Sequence, residues 1–379
     1  MTRSVIFCAL SLAAATILPA QQPATPALSE TPYHVLTRSR VGGEGGWDYI
    51  YADPAGRRLY IPRGPVRAAA ATDTTPARDA VPARIEVFNL DNLSPVGEIL
   101  TAPNSNGQGV AVDPKSGHGF SSSRPQITMF DTKSLALLKS IPIDSGVGPD
   151  GILFDSFNDR VYIFSHPTRD ATVIDSRSGT VLGRVDLGGV PEEGVADGHG
   201  KLYVVMQDTP GGVAVVDTKT MKTVAHYPFA DAGRCNGLAL DAKNHVLFAA
   251  CAVSGNPPAQ PPAPVMVVLD AENGKVLTTL PLPGGSDGAT FNPATMEAFA
   301  TLGNGVLTVV KEKSPTNFEI EQNLSTMNGA RTIAFDSKTG HLFTMSQERG
   351  PAPTPPPGGG RGRGAPAIPG SFTILMIGK

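Results

Sequence analysis

PDGILFDSFNDRVYIFSHPTRDATVIDSRSGTVLGRV, residues 149–185, contains four short runs that suit strands, separated by turns. Gly151-Ile152-Leu153-Phe154, Val161-Tyr162-Ile163-Phe164, Ala171-Thr172-Val173-Ile174 and Thr180 to Val185 are rich in branched and aromatic residues, which fit a pleated surface. Asp155 to Arg160 joins the first two runs, and Asp175-Ser176-Arg177-Ser178-Gly179 joins the last two. An Asp at the start of such a turn accepts a hydrogen bond from a nearby backbone N–H, and a late Gly tolerates positive φ.

The same unit recurs along the chain. Its first turn opens at Asp53, Asp113, Asp155, Asp197, Asp241, Asn292 and Asp336, and the uninterrupted copies are 42 to 44 residues apart. That period is the signature of four-stranded propeller blades. Runs such as Val213-Ala214-Val215-Val216 are apolar throughout, as strands are when a blade buries both faces against its neighbours. The expected fold is therefore all-β: a seven-bladed β-propeller of four-stranded antiparallel blades. Its last blade lacks a fourth strand, because the third, Ser371 to Ile377, ends beside the C-terminus. Tyr33 to Val41 can supply it and then run through Gly42-Gly43-Glu44-Gly45-Gly46 into blade 1. Closure by this N-terminal strand leaves no open sheet edge.

Composition fits a secreted β protein, with 42 Gly, 35 Pro, one Trp and only 17% charged residues. Met1-Thr2-Arg3, an apolar run from Val5 to Leu18 and Leu18-Pro19-Ala20 together read as a secretory signal peptide over residues 1–20. The run is too short to remain as a membrane span, and no second run of membrane length follows. Residues 21–32 read as a flexible leader, and 33–379 as a single propeller domain. The expected location is periplasmic or secreted. A net charge of −3 exerts no pull toward nucleic acid or anionic lipid, so neither is an expected partner.

Pro149-Asp150-Gly151-Ile152-Leu153-Phe154-Asp155, Val161-Tyr162-Ile163-Phe164, Ala171-Thr172-Val173-Ile174-Asp175 and Gly179-Thr180-Val181-Leu182-Gly183 resemble the YVTN β-propeller repeat, and residues 33–379 resemble the bacterial YncE-like members of that family. The resemblance implies a seven-bladed ring and an extracytoplasmic location. It brings no shared catalytic residues. It does bring a DNA-binding member, and related propellers include lactonases and quinoprotein subunits. Third strands here end in Asp175, Asp217 or Asp270 without the Trp-Asp pair of WD40 blades, and Lys311 to Asn323 replaces the usual outer turn of blade 6.

Propeller topology places the loops that lead into inner strands on the same face as the loops between second and third strands. Three insertions interrupt the period, at 64–83, 252–264 and 349–369, and all three fall between second and third strands. Their Ala, Pro, Gly and Arg composition cannot build a core, so a mobile fringe is expected on that face, most clearly over Pro351 to Pro369. On a rigid scaffold such loops often carry binding.

Five residues before each turn residue stand Asp48, Gln108, Asp150, Glu192, Asn236, Asp287 and Arg331. These positions open the inner strands and so form a ring at the channel mouth. Such a ring can hold a hard cation such as Ca²⁺ through oxygen ligands, or a polyhydroxylated ligand through paired hydrogen bonds. It can equally be the wall of a wet channel. Crowded acids there should raise one another's pKa values. Trp47, next to Asp48, can either stack on a ligand or pack between blades.

No other constellation carries chemistry. His118, His199, His245 and His341 lie in first turns of separate blades and cannot converge on a metal. His166 stands alone in a loop of blade 3, and His34 and His226 fall in outer strands. Gly-x-Ser-x-Gly, phosphate-loop and haem-attachment patterns are all missing. The expected assignment has no catalytic residue and no dedicated metal ligand.

The expected mature chain retains two cysteines. If Leu240 opposes Val246 across the turn from Asp241 to His245, the register sets Cys235 opposite Cys251, within disulfide reach. In an oxidising compartment this pair should close.

The leading functional reading is a non-catalytic, monomeric binding scaffold that offers the ring and its loops to a small polar ligand, an ion or an extracytoplasmic protein. A lactonase-like hydrolase, using a metal or paired carboxylates, is the alternative. Single-stranded DNA binding rests only on the family resemblance.

Overall fold

The computed structural model describes residues 32–379 apart from 72–76, 102–106, 125, 145, 209–210, 230–231, 253–262 and 352–364. The expected signal peptide and all of the leader except Pro32 lie outside the described residues. Tyr33–Lys379 forms one compact unit, and among its described residues the strands assemble into seven four-stranded antiparallel sheets with no α-helix. In blade 3 the order is Pro149–Asp155, Arg160–Ser165, Asp170–Asp175 and Val181–Asp186, each strand pairing with the next.

Each blade follows the pattern read from its repeat. The first-turn residue accepts the backbone N–H two positions on in all seven blades, as in Asp155 from Phe157 at 3.0 Å and Asn292 from Ala294 at 3.0 Å. Several of these turns also tie neighbouring blades together. Ser176 donates to Asp113 Oδ2 at 2.7 Å, and Arg57 pairs with Asp336 at 2.7 Å. The first-turn residues of this face thus brace their own turns, and Asp113 and Asp336 also tie blades together.

The hydrophobic core lies between blades. Tyr203, Val213 and Val215 of blade 4 pack on Leu247 and Val267 of blade 5. One interface on, Phe248 stacks on Phe291 at 5.6 Å between ring centroids. Truncating a fully buried Phe of this kind costs about 3–5 kcal/mol. Outer strands alternate instead, as Lys222–Pro228 does, because only one of their faces meets a neighbour.

The N-terminal strand His34–Arg40 pairs antiparallel with Thr373–Gly378 and completes blade 7. Tyr33 and the C-terminal Lys379 are then fastened to blade 6. Tyr33 donates its hydroxyl to Glu297 Oε2 at 2.6 Å, and Lys379 Nζ lies 3.0 Å from Glu297 Oε1. Gln322 grips the backbone of Tyr33 from both sides. The departure noted in blade 6 is a long hairpin, Val306–Ser314 and Asn317–Ser325, whose outer strand provides Gln322.

Cys235 and Cys251 are joined in a disulfide, but by a route that differs from the sequence expectation. Leu240 opposes Leu247, not Val246, so the register near the turn is one residue away from the simple pairing. A bulge between Cys235 and Gly237 absorbs that residue and restores Cys235 opposite Cys251. The extra residue is Asn236, one of the ring positions.

The insertion at 64–83 connects Arg58–Arg63 to Arg84–Asn89, and its described stem is a narrow ribbon held by Val66–Val81 and Ala69–Arg78 bridges. An Arg349–Ala367 bridge closes the stem of the third insertion in the same way. Most of the expected mobile stretch over 351–369, namely 352–364, and most of 252–264 lie outside the described residues.

Candidate functional site

Inner strands of all seven blades line a central cavity of about 420 Å³. Its wall is mainly apolar, from Ile50, Val110, Ile152, Val195, Leu238 and Ile333 among others, with Glu193 the acidic residue in it. The seven ring positions lie one or two residues before these wall segments.

A local backbone feature marks four of the seven ring positions. In blades 3, 4, 5 and 6 the pairing of first and second strands slips by one residue where Asp150, Glu192, Asn236 and Asp287 stand. A bulge of this kind bends the strand and re-aims a side chain. The residue after the ring position is often Gly, and close approach requires it. A Cβ on Gly151 would meet Glu192 O at 2.9 Å, and one on Gly237 would meet Ala289 N at 2.9 Å. Blade 4 has Glu193 at that step, and its carboxylate reaches across to accept Leu238 N–H at 2.7 Å and Ala289 N–H at 3.0 Å.

The ring side chains meet in two arcs. In the first, Gln108 Nε2 donates to Asp150 Oδ1 at 3.2 Å, Asp150 Oδ2 lies 2.8 Å from His166 Nε2, and that nitrogen lies 3.6 Å from Glu192 Oε1. Tyr49 Oη donates to Glu192 Oε2 at 2.5 Å, and Gln207 Nε2 reaches Glu192 Oε1. In the second arc, Asn236 Nδ2 donates to Asp287 Oδ1 at 2.6 Å, Arg331 pairs with Asp287 Oδ2 at 2.7 Å, and the far edge of Arg331 stands 4.0 Å from Asp48 Oδ1. Trp47 packs edge-on against Phe372 at 4.9 Å and joins the core between blades 7 and 1.

Acid outweighs base at this opening, and burial together with the crowded acids shifts the pKa values there. Burial, then Asp150, push Asp48 up to about 8, with Asp287 and Glu192 adding to the rise against the pull of Arg331. Burial also raises Glu192, and it lifts Glu193 to about 8 despite the two backbone donors. Burial opposes charge on His166, but Asp150 and Glu192 outweigh it and hold the imidazole pKa at about 10. The Tyr49 hydroxyl is driven well above its ordinary range, first by burial and then by Glu192.

His166 is the residue that sequence reasoning missed. It is not alone: ligand atoms of Asp150, His166 and Glu192 all lie within 4.8 Å of one another. The signal was present, since His166 belongs to a loop between second and third strands and such loops share the face of the ring. Tyr49, Glu193 and Gln207 were also missed. The first two occupy the step that elsewhere carries Gly, and only knowledge of the bulges gives that step meaning.

No family model matches the sequence, and no curated protein does either. Among solved structures, the chain is similar to Kuenenia stuttgartiensis hydrazine synthase at 12% identity, with a TM-score of 0.64 over 81% of this chain and 94% of that one. A likeness at that identity establishes the propeller fold and nothing about chemistry.

Proposed function

We propose that this chain is an extracytoplasmic, YVTN-like binding propeller whose channel mouth captures a small polar ligand, with positive charge favoured. One observation carries the reading: four carboxylates face one guanidinium and one imidazole across a single opening, where burial and then the neighbouring acids push Asp48 up to about 8. A rigid ring of partly satisfied acceptors can take an ammonium or several hydroxyl groups without reorganising. The Cys235–Cys251 bridge, the leader-like first 20 residues and the repeat resemblance support the location.

The test is a thermal-shift panel on EDTA-treated mature protein, comparing diamines, neutral sugars and small carboxylates. Diamines are expected to raise Tm most, then sugars, with no gain from carboxylates. Asp287→Asn should remove most of the shift. Equal response to all three classes, or a shift that survives Asp287→Asn, would overturn the reading.

The Asp150, His166 and Glu192 cluster favours a second reading, a metal-dependent hydrolase of lactone type in which a bound ion activates water. Turnover of simple lactones that requires a divalent ion and vanishes in His166→Ala would support it. Metal-independent silence across a lactone series would dismiss it.

A further inference from the structure

We propose that Asp150, His166 and Glu192 are the protein ligands of a first-row divalent metal ion, of the Zn²⁺ or Mn²⁺ class, at the channel mouth. The inference rests on the mouth being a binding site and names what it binds.

Geometry provides the first argument. Nitrogen and oxygen ligands about 2.0–2.1 Å from a tetrahedral ion stand about 3.3 Å apart. His166 Nε2 lies 2.8 Å from Asp150 Oδ2 and 3.6 Å from Glu192 Oε1, which brackets that value.

The second argument concerns the direction of Nε2. That atom is buried, 2.8 Å from Asp150 Oδ2 and 3.6 Å from Glu192 Oε1, without well-aligned hydrogen-bond geometry to either. Nε2 therefore faces both carboxylates within the cluster, where the three ligand atoms lie within 4.8 Å of one another. A metal ion there takes the place of the imidazole proton, which binding releases.

The supporting contacts supply the third. Each carboxylate keeps one oxygen for an uncharged donor from another blade: Gln108 on Asp150 Oδ1 and Tyr49 on Glu192 Oε2. Ser122 Oγ fixes the Asp150 carbonyl at 2.5 Å. Ligating carboxylates are commonly oriented by such partners. Both acids are at least nine-tenths buried, so their geometry is held before an ion arrives. Gln207, now against Glu192 Oε1, must turn aside for that oxygen to bind.

Donor chemistry then chooses the ion. Two carboxylates alone would suit Ca²⁺ or Mg²⁺, whereas an imidazole in the set favours Zn²⁺ and its first-row neighbours. Ca²⁺, the cation suggested by the ring of oxygens, is thus the weaker fit. Three protein ligands leave at least one position for water or a ligand donor.

Calorimetric titration of EDTA-stripped, dialysed mature protein with ZnCl₂, MnCl₂ and CaCl₂ tests the proposal, with Co²⁺ absorption as a readout of ligand type. One equivalent of Zn²⁺ is expected to bind, at least 100-fold more tightly than Ca²⁺. His166→Ala and Asp150→Asn should each lose 100-fold or more in affinity while keeping the wild-type melt in EDTA. Tyr49→Phe should lose about 10–100-fold. His199→Ala, on the opposite face, should lose nothing. Failure of wild type to bind Zn²⁺, equal affinity for Ca²⁺, or uptake unchanged by His166→Ala would overturn the assignment. If Zn²⁺ fails while diamines still stabilise the protein in EDTA, the metal falls and the binding mouth stands; if both fail, both fall.

Discussion

Glu312→Gln should stabilise this propeller above neutral pH and leave it unchanged in acid. Glu312 sits in Val306–Ser314 of blade 6 at 2% exposure, and its Oε1 accepts Asn244 Nδ2 of blade 5 at 2.8 Å. Its Oε2 is buried without a donor, and so is Oδ2 of Asp241, whose charge and hydrogen bond both bear on Glu312. A proton held on Glu312 and shared with Asp241 satisfies both oxygens. Burial first, then Asp241, raise Glu312 from 4.5 to about 7. The sign follows directly. The unfolded chain releases this proton near 4.5, while the folded chain keeps it to about 7, so stability is full below 4.5, falls through that window and stays reduced above it. The gap corresponds to about 3 kcal/mol. Gln mimics the protonated acid, accepting from Asn244 and donating to Asp241, and has no proton to lose. Urea melts of both proteins at pH 4, 5.5, 7 and 8 should give a difference near zero at pH 4 that grows to about 3 kcal/mol at pH 8. Other raised acids, Asp48 and Glu193, are common to both proteins and cancel. A difference constant with pH, or a variant less stable than wild type at pH 8, would refute the shared proton.

Three further outcomes are expected. A chain starting at Gly42 leaves Thr373–Gly378 as an open edge and releases Gln322 from its partner, so it should aggregate or melt without cooperativity; a normal cooperative melt would show that closure is dispensable. Cys235→Ala with Cys251→Ala opens a bridge spanning 16 positions and should cost about 3 kcal/mol in denaturant melts, with no further loss on adding reductant. Glu86→Ala leaves two buried guanidinium groups, Arg63 and Arg84, without their shared carboxylate and should cost about 3–5 kcal/mol; a loss below about 1 kcal/mol in the same melts would mean that the cluster is hydrated.

The blade count was legible because its signal is local: an Asx turn needs only the residue and the N–H two positions on, and seven copies report independently. N-terminal closure was legible by subtraction, since one blade was a strand short. What stayed hidden depends on contact between blades. Sequence spacing gives the order of Asp150, Glu192 and Asp287 along the chain but not the one-residue bulges that set them at the opening. The register through Leu240 went astray for the same reason, because a bulge at Asn236 cannot be read from a strand whose apolar pattern is continuous. His166 was set aside because it had no partner within its own loop, whereas its partners come from the start of its own inner strand and from the next blade.

The bulges also explain why binding chemistry and ring architecture can coexist at the mouth. Where inner strands converge, neighbouring backbones approach until a Cβ at Gly151 or Gly237 would touch the next blade. Side chains at that step must be absent or must bond across the gap, as Glu193 does with Leu238 and Ala289. In blades 3 to 6 the polar side chains one residue earlier stand at a bulge beside the apolar wall, and the carboxylates among them are largely buried. Their charge is therefore met by one another, by Arg331 and His166, and by whatever the mouth takes up. The raised pKa of Asp48, from burial first and then Asp150, and the position of His166 between Asp150 and Glu192 both follow from that crowding, and both fit the proposed cationic occupant.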